Sequence, residues 1–381
     1  MDPVEIAAEG LLLRPWRPDD ADAVHQACQD PDIQRWTTVP RPYLREHADT
    51  FVAKAAPEAW ATGTGAPFAV CDATTGEILG SGGFVSLDRT EGTGEIGYWT
   101  APWARGRGVA AIATRAVARW AFDHLGVRRA ALKIETGNHR SLLTALRAGC
   151  VIEGIARDGV APGRDAWVGA ILAGDDVPLD LPPYVRRRAK VFASPQPTLF
   201  ATTRSGEIRL RPLEERDIDG VVIGARDPES VRWTTVPHPY EREHAEFFVH
   251  EYGPRVWARG TGALFGIGDP EADAYAGVME LRLWERDPAV ADVGFVVPPH
   301  ARGRGYAPAA LAAVAAWGFT ALDLTRIEWR ANVGNTASRR VAEKAGFRFE
   351  GTTRAALDHR GERVDAWVAA LLATDIGKGD T

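Results

Sequence analysis

Two short stretches carry residue types suited to holding a charged ligand: Arg105, Gly106, Arg107, Gly108, Val109 and Ala110, and again Arg302, Gly303, Arg304, Gly305, Tyr306 and Ala307. Each follows a strand-like run, GYWTAP or GFVVPP, and opens at once into an Ala-rich helical segment. Glycines in such a loop let the backbone approach a ligand closely, and the unpaired N–H groups of a helix start form a nest for an anion. The chemistry this pattern suits is phosphate binding. The plain structural alternative is a tight strand-to-helix turn with surface arginines, which a second copy in the same context weakens. The stretch from Gly106 to Ala111 also fits the G-x-G-x-x-A dinucleotide fingerprint, but Pro308 stands where the second copy should pack a third small residue. A Walker loop is excluded, because no Gly-Lys-Ser/Thr follows.

The elements that must position these loops are also written twice. RWTTVPRPYLREHADTFV from Arg35 recurs as RWTTVPHPYEREHAEFFV from Arg232, an offset of 197 that also relates the two Gly-Arg loops and the Gly-Asn turns at Gly137 and Gly334. After Gly154 and Gly351 the offset slips to 200, which places a three-residue difference in one loop. A period this long marks duplication of a whole domain, not a solenoid. Each copy reads as α+β: an opening strand, acidic and REHA helices, three strand-like runs, the Gly-Arg loop, a long Ala-rich helix, a strand, a helix closed by Gly149 or Gly346, and a last strand. The expected domains are 1–175 and 206–381. Between them 176–205, rich in proline and carrying Arg186, Arg187 and Arg188, reads as a linker with a solvated basic cluster, although its YVRRRAKVF core has the makings of a packed strand or short helix.

The 381 residues are 45% hydrophobic and 25% charged, the mix of a folded globular chain. No basic-then-apolar leader and no window of 18 apolar residues occurs, so secretion and membrane spanning are disfavoured. Cys28, Cys71 and Cys150 are odd in number and lack metal-ligand spacing, which argues against a disulfide framework, against a metal site, and for a reducing cytoplasm. A net charge of −6 offers no field for nucleic acid. Only five of the 45 basic residues are lysine, a compositional bias of GC-rich bacterial genomes.

Arg105-x-x-Gly108-x-Ala110 and Arg302-x-x-Gly305-x-Ala307 resemble the [QR]-x-x-G-x-[GA] acetyl-CoA loop of the GNAT superfamily of N-acetyltransferases. EIGYW before the first loop and NTASRRVAEKAGFRFEG after the second are similar to the branch that holds the ribosomal-protein N-terminal acetyltransferases. The resemblance implies two tandem GNAT-like folds, each a mixed, mostly antiparallel sheet flanked by helices, with acetyl-CoA as cosubstrate. It implies that pantetheine pairs with backbone at Trp99 and Thr100, and at Val296 and Val297, where one amide serves as oxyanion donor. The pyrophosphate would rest on the loop amides, with the arginine side chains adding charge. A tyrosine that many relatives carry seven residues after the motif asparagine is replaced by Ala145 and Ala342. The proton donor to the departing thiolate then falls to Ser141 and Ser338, which alternatively are helix N-caps, and Asn138 and Asn335 divide between a turn and CoA contact. Glu95 and Asp292 are candidate bases, unless strand alternation turns them to solvent. Glu135 would serve one site only, since Asn332 stands opposite it, and His47 and His244 read as packed or solvated helix residues before bases. Trp36, Tyr43, Trp233 and Tyr240 would line the acceptor cleft or, alternatively, fill the core.

The resulting expectation is an acetyl-CoA-dependent acyltransferase acting on a small-molecule amine or a protein N-terminus, with the second copy the more active because its Ser338 helix start is better preserved. The alternative is a CoA sensor or scaffold in which one or both copies have lost turnover. A monomer with an intramolecular pseudo-dimer is the accompanying expectation for assembly.

Overall fold

In the computed structural model, which describes residues 1–175 and 180–376, the opening strand signal LLLRP forms β2 (Leu11–Pro15), hairpinned to β1 (Ile6–Ala8). The alternating runs that follow become β3 (Ala66–Asp72), β4 (Ile78–Asp88), β5 (Thr93–Thr100), β6 (Arg129–Glu135), β7 (Val151–Ala161) and β8 (Arg164–Leu172). They make one eight-stranded sheet in the order β1-β2-β3-β4-β5-β6-β8-β7. Every neighbouring pair is antiparallel except β5 with β6, and that parallel pair needs a crossover, supplied by the helix Val109–His124.

The second unit repeats the design with β9 (Leu199–Thr203), β10 (Gly206–Arg211), β11 (Gly262–Gly268), β12 (Tyr275–Leu283), β13 (Val290–Val296), β14 (Arg326–Asn332), β15 (Arg348–His359) and β16 (Glu362–Leu372). Its order is β9-β10-β11-β12-β13-β14-β16-β15, with β13 and β14 parallel across the helix Tyr306–Leu322. The chain divides into compact units Met1–Pro182 and Pro183–Thr381.

The duplicated residues do the same physical work in both units. Trp60, Phe68 and Trp120 meet edge-on or tilted at 5.0–5.8 Å, and Trp257, Phe265 and Trp317 include contacts of 5.6 and 6.2 Å. Each such pair adds about 0.5–1.5 kcal/mol beyond area burial, so these triads anchor the crossover helix to β3 and β11. The repeated Leu-Arg-Pro has an equally local cause. Arg14 binds both oxygens of Asp20 at 2.8 and 2.7 Å, and Arg211 those of Asp217 at 2.7 and 3.0 Å, all four residues being buried. A buried arginine persists only with such two-pronged pairing.

The segment 176–205, read as a linker whose YVRRRAKVF core had the makings of a packed element, holds a helix and a strand; residues 176–179 lie outside the described residues. Pro183–Phe192 is a helix and Leu199–Thr203 is β9, paired along β10. Phe192 packs on Trp257 at 4.8 Å, and Trp257 donates to the Ser194 carbonyl at 3.0 Å. The basic cluster is not simply solvated. Arg188 donates to the carbonyls of Leu322, at 3.1 Å, and of Pro288, while Arg187 pairs with Asp323 at 2.9 Å. A cation at a helix C-terminus satisfies its unpaired carbonyls, which is what Arg188 does for Leu322 at the end of Tyr306–Leu322.

The three cysteines are buried as free thiols, and burial pushes Cys28 up to about 11 and Cys150 up to about 12. Among the described residues no helix is long and apolar enough to cross a membrane, and no cluster of His, Cys, Asp and Glu is placed to hold a metal ion.

Candidate functional site

The parallel pair is short in both units. β5 and β6 stay in register only from Thr93–Arg129 to Glu95–Ala131, and β13 and β14 only from Val290–Arg326 to Val293–Trp329. Beyond those points the strands part, so Ile96–Thr100 and Gly294–Val296 present one backbone edge with no strand against it. Such an edge is a template for an extended ligand. Trp99, Thr100 and Val296 lie along it as expected. Val297 is past the end of β13, and its carbonyl accepts Arg302 Nε at 3.0 Å, which leaves only its amide for a ligand.

Each gap leads to a Gly-Arg loop. Gly106 and Gly108 have φ of 79° and 78°, Gly303 and Gly305 75° and 82°, the left-handed region that a side chain disfavours. Helices begin at Val109 and Tyr306, whose side chains are buried, so what these positions offer outward is backbone. Ile112 N–H bonds back to Gly108 O at 3.1 Å and Ala309 N–H to Gly305 O at 3.4 Å, so the amides of the preceding turn have no helical acceptor. Those amides suit a pyrophosphate.

The leading arginines do something other than add charge. Arg105 binds Asp30 and Asp32, and Arg302 binds Asp227. Asp30 and Asp227 are N-caps of the helices Pro31–Trp36 and Pro228–Trp233, accepting Ile33 N–H and Ser230 N–H at 3.0 Å. Partial burial would raise both carboxyls, but the arginine and the backbone N–H donors of the capped helix together outweigh it and hold them below the usual aspartate range. The arginines thus tie each loop to the helix that ends in Trp36 or Trp233. Arg107 is paired with Asp72 at 3.2 Å, and Arg304 is exposed.

The Gly-Asn turns resolve one alternative. Asn138 and Asn335 are the N-caps, their Oδ1 accepting Ser141 N–H at 3.2 Å and Ser338 N–H at 3.1 Å. Ser141 and Ser338 are therefore third residues of their helices, not caps, and their hydroxyls go elsewhere. Ser141 Oγ lies 3.0 Å from the Tyr98 hydroxyl, which is also 3.0 Å from the Ser141 carbonyl. Ser338 Oγ accepts Trp329 Nε1–H at 3.0 Å. Neither Tyr98 nor Trp329 stood out in the sequence. The signal was there, since Tyr98 and Leu132 in one copy become Phe295 and Trp329 in the other, a paired exchange at the common offset.

The matching carboxylates differ. Glu95 lies on the face of β5 shared with Trp99, which packs beside Trp16. It lines an open cavity of about 510 Å³ with Thr64, Ser86, Asp88 and Arg129. Asp292 is fully engaged: Oδ1 accepts Arg282 Nε at 2.7 Å and Oδ2 accepts Trp284 Nε1 at 3.0 Å. Arg282 and Trp284 hold the places of Val85 and Leu87, so Asp292, unlike Glu95, is ion-paired with an exposed arginine on the neighbouring strand. Glu135 is held by Arg35, at 2.9 Å, and by Arg164. Burial would raise its pKa, but those two arginines outweigh it and keep it ionised below the usual glutamate range. His47 and His244 accept the N–H of Leu44 and Glu241 through Nδ1 at 3.0 and 2.9 Å, which makes them helix-start caps.

Of the expected acceptor residues, Tyr43 and Tyr240 belong to the core, 5% and 7% exposed. Trp36 and Trp233 are half-buried at the ends of their helices. Trp233 comes within 3.5 Å of where a Cβ on Gly334 would lie, beside the Asn335 turn. Each tryptophan loop is fastened differently: Arg35 reaches Glu135 on β6, whereas in the second unit Arg360 donates to the carbonyls of Val231, Thr234 and Val236 at 3.1–3.3 Å. Arg360 sits in the longer hairpin between β15 and β16, where the repeat register slips.

The sequence model of the acetyltransferase (GNAT) domain matches residues 10–151 and again 207–348. The chain is 24% identical over 171 residues to an N-acetyltransferase of Bacillus licheniformis, p20, whose name marks it as uncharacterised; the match covers 45% of this chain and 96% of that one. It is 35% identical over 85 residues to YdaF of Bacillus subtilis (strain 168), named as a candidate ribosomal N-acetyltransferase, covering 22% of this chain and 46% of that one. Among solved structures, Mycobacterium smegmatis RimJ in complex with CoA-disulfide is similar at 24% identity and a TM-score of 0.43, covering 48% of this chain and 90% of that one.

Proposed function

Because the chain belongs, through both of its halves, to the GNAT family of acetyltransferases, we propose that it transfers the acetyl group of acetyl-CoA to a primary amine by direct attack on the thioester. The observation that carries this reading is the pairing, in each unit, of a strand edge left open at Glu95 or Val293 with a left-handed Gly-Arg loop that opens a helix. Pantetheine would lie along Trp99 and Thr100 or Val296, and pyrophosphate on the amides of 105–110 or 302–307. An amide on the open edge would steady the oxyanion that forms as the amine attacks.

The residues divide the remaining work unequally. In the first unit Glu95, with no partner among its neighbours' hydrogen bonds, takes the amine proton, directly or through water. In the second unit Asp292 is spoken for, so the acceptor must arrive already deprotonated. An α-amino group, with an ordinary pKa near 8, meets that condition better than a lysine-like amine near 10.4. This favours a protein or peptide N-terminus for the second unit, in keeping with the name given to YdaF.

The engaged Asp292 also favours one competing reading, in which the second unit binds CoA without turnover. The test is to incubate the chain with acetyl-CoA and a panel of small amines and short peptides with free α-amines, following free thiol. Thiol release with acetylated amine by mass supports the transferase; CoA binding without release supports the sensor or scaffold.

A further inference from the structure

The two serines that open the helices after the Gly-Asn turns have the same backbone setting and opposite side-chain partners. Ser141 is met by Tyr98, from β5, and Ser338 by Trp329, from β14. The partners therefore reach in from opposite walls of the parting strands. Trp329 is the last residue of β14 still in register with β13, opposite Val293, so the contact sits at the apex of the gap.

The indole N–H only donates, whereas a tyrosine hydroxyl does both. Ser338 Oγ must therefore be the acceptor in its bond with Trp329, and its own hydrogen is directed elsewhere. Tyr98 imposes no such direction. Its single hydrogen is shared between Ser141 Oγ and the Ser141 carbonyl, both at 3.0 Å, and when the carbonyl takes it Ser141 is free to turn its hydrogen back onto the Tyr98 oxygen.

We propose that Trp329 is a positioning residue that makes the Ser338 hydroxyl a one-way donor to the sulfur of CoA in the second unit. The proposal rests on the transferase reading, which lays the thioester across this apex. In the transfer the amine nitrogen forms the C–N bond, the C–S bond breaks with its electron pair going to sulfur, and the amine proton passes to water. Ser338 lends a hydrogen bond to the thiolate and keeps its own proton, and the freed thiolate is protonated by water. No oxidant or reductant is needed.

A donor aimed at sulfur favours the thiolate, so CoA bound at the second site has a thiol pKa below the ordinary value of about 8.5. CoA affinity at that site then rises with pH between the bound and the free thiol pKa, while acetyl-CoA, which has no titrating thiol, shows no such rise. Calorimetric titrations of the full chain with CoA and with acetyl-CoA from pH 6.5 to 9.5 read this directly. The expected gain for CoA is about tenfold, abolished by Ser338→Ala, flattened by Trp329→Phe and not restored when Phe295→Tyr is added to Trp329→Phe, because a tyrosine hydroxyl leaves the serine free to donate back to it. In a Gly108→Val background that silences the first site, with acetyl-CoA varied, Trp329→Phe lowers kcat about tenfold and leaves KM for acetyl-CoA within twofold, a split that simple loss of packing does not give.

A pH gain that Ser338→Ala abolishes and Trp329→Phe keeps overturns the role of Trp329. A gain that both variants keep shows that the serine does not face sulfur and overturns the proposal while the transferase reading stands. Absence of CoA binding at either site overturns both. Trp329 is fully buried, so Trp329→Phe is first checked by melting temperature. If it does not fold, the indole N–H resonances of ¹⁵N-tryptophan protein take its place: one of them must move in Ser338→Ala and again as bound CoA ionises, and no movement overturns the contact.

Discussion

Arg302 is ion-paired with Asp227, the N-cap of the helix that ends in Trp233, and Arg105 is paired in the same way with Asp30 below Trp36. The Gly-Arg loop proposed to hold phosphate is thus fastened to the helix that carries Trp233 or Trp36. Asp227→Asn keeps the cap, because asparagine caps as well as aspartate, and removes the charge of the pair. The pair is part-exposed, so stability falls by less than about 1 kcal/mol. The expected result is a higher KM for the acceptor with CoA affinity within about threefold, measured by steady-state kinetics and calorimetry. A tenfold loss of CoA affinity with an unchanged acceptor KM would show that Arg302 serves the phosphate instead.

Gly108 and Gly305 need their side-chain freedom for conformation and not for room. Nothing but the tip of Ile112, at 3.9 Å, approaches a Cβ placed on Gly108, and nothing lies within 4 Å of one on Gly305. Valine at φ near 80° costs about 1–2 kcal/mol or more and turns the amides away. Gly108→Val and Gly305→Val should each take CoA stoichiometry from two per chain to one. Loss of both sites from one change would mean a single shared site.

Glu95 and Asp292 occupy the same place in the repeat and should respond in opposite ways. Glu95→Gln is expected to lower the pH-dependent turnover of the first unit without changing the melting temperature, since the Glu95 side chain, unlike its strand backbone, makes no hydrogen bond among the described residues. Asp292→Asn leaves the exposed Arg282 with a weaker partner beside Glu280 and should destabilise the second unit by less than about 1 kcal/mol. Thermal melts of the two variants, run beside acetyl-transfer assays at pH 6 to 9, distinguish them. Equal effects on both readouts would overturn the contrast.

Glu135 should give the first unit an acid-sensitive step. Its folded-state pKa lies below the unfolded value near 4.3, so the unfolded chain binds the proton more readily. The stabilisation is complete above that value and is lost as pH falls through the folded pKa. Glu135→Gln should lower the melting temperature at pH 7, and the deficit should shrink toward pH 3. A deficit that stays constant across that range would show that the clamp on Arg35 and Arg164 is not ionic.

Much of this was legible in the chain itself, because it depends on spacing and local stereochemistry. A duplicated segment must fold twice alike, glycine marks a left-handed turn, and Gly-Asn before an amphipathic run marks a helix start. Those three facts gave two α+β units, two Gly-Arg loops and two serines at equivalent helix positions. In the segment before β9 the YVRRRAKVF core left strand and short helix open, because proline punctuates its surroundings and only Ala189 and Phe192 are buried in the helix it forms.

The tertiary structure alone decided which side chains remain available for chemistry. Glu95 and Asp292 cannot be told apart along the chain, since Asp292 is neutralised by Arg282 from the neighbouring strand and Trp284 just beyond it, and Tyr43 and Tyr240 are withdrawn by packing between helices. Ser141 and Ser338 likewise share their caps and differ only in the aromatic side chain that crosses the gap. Local sequence sets where a backbone turns, but the partner of a polar side chain comes from another strand or helix, and only the register of the folded sheet brings the two within 3 Å.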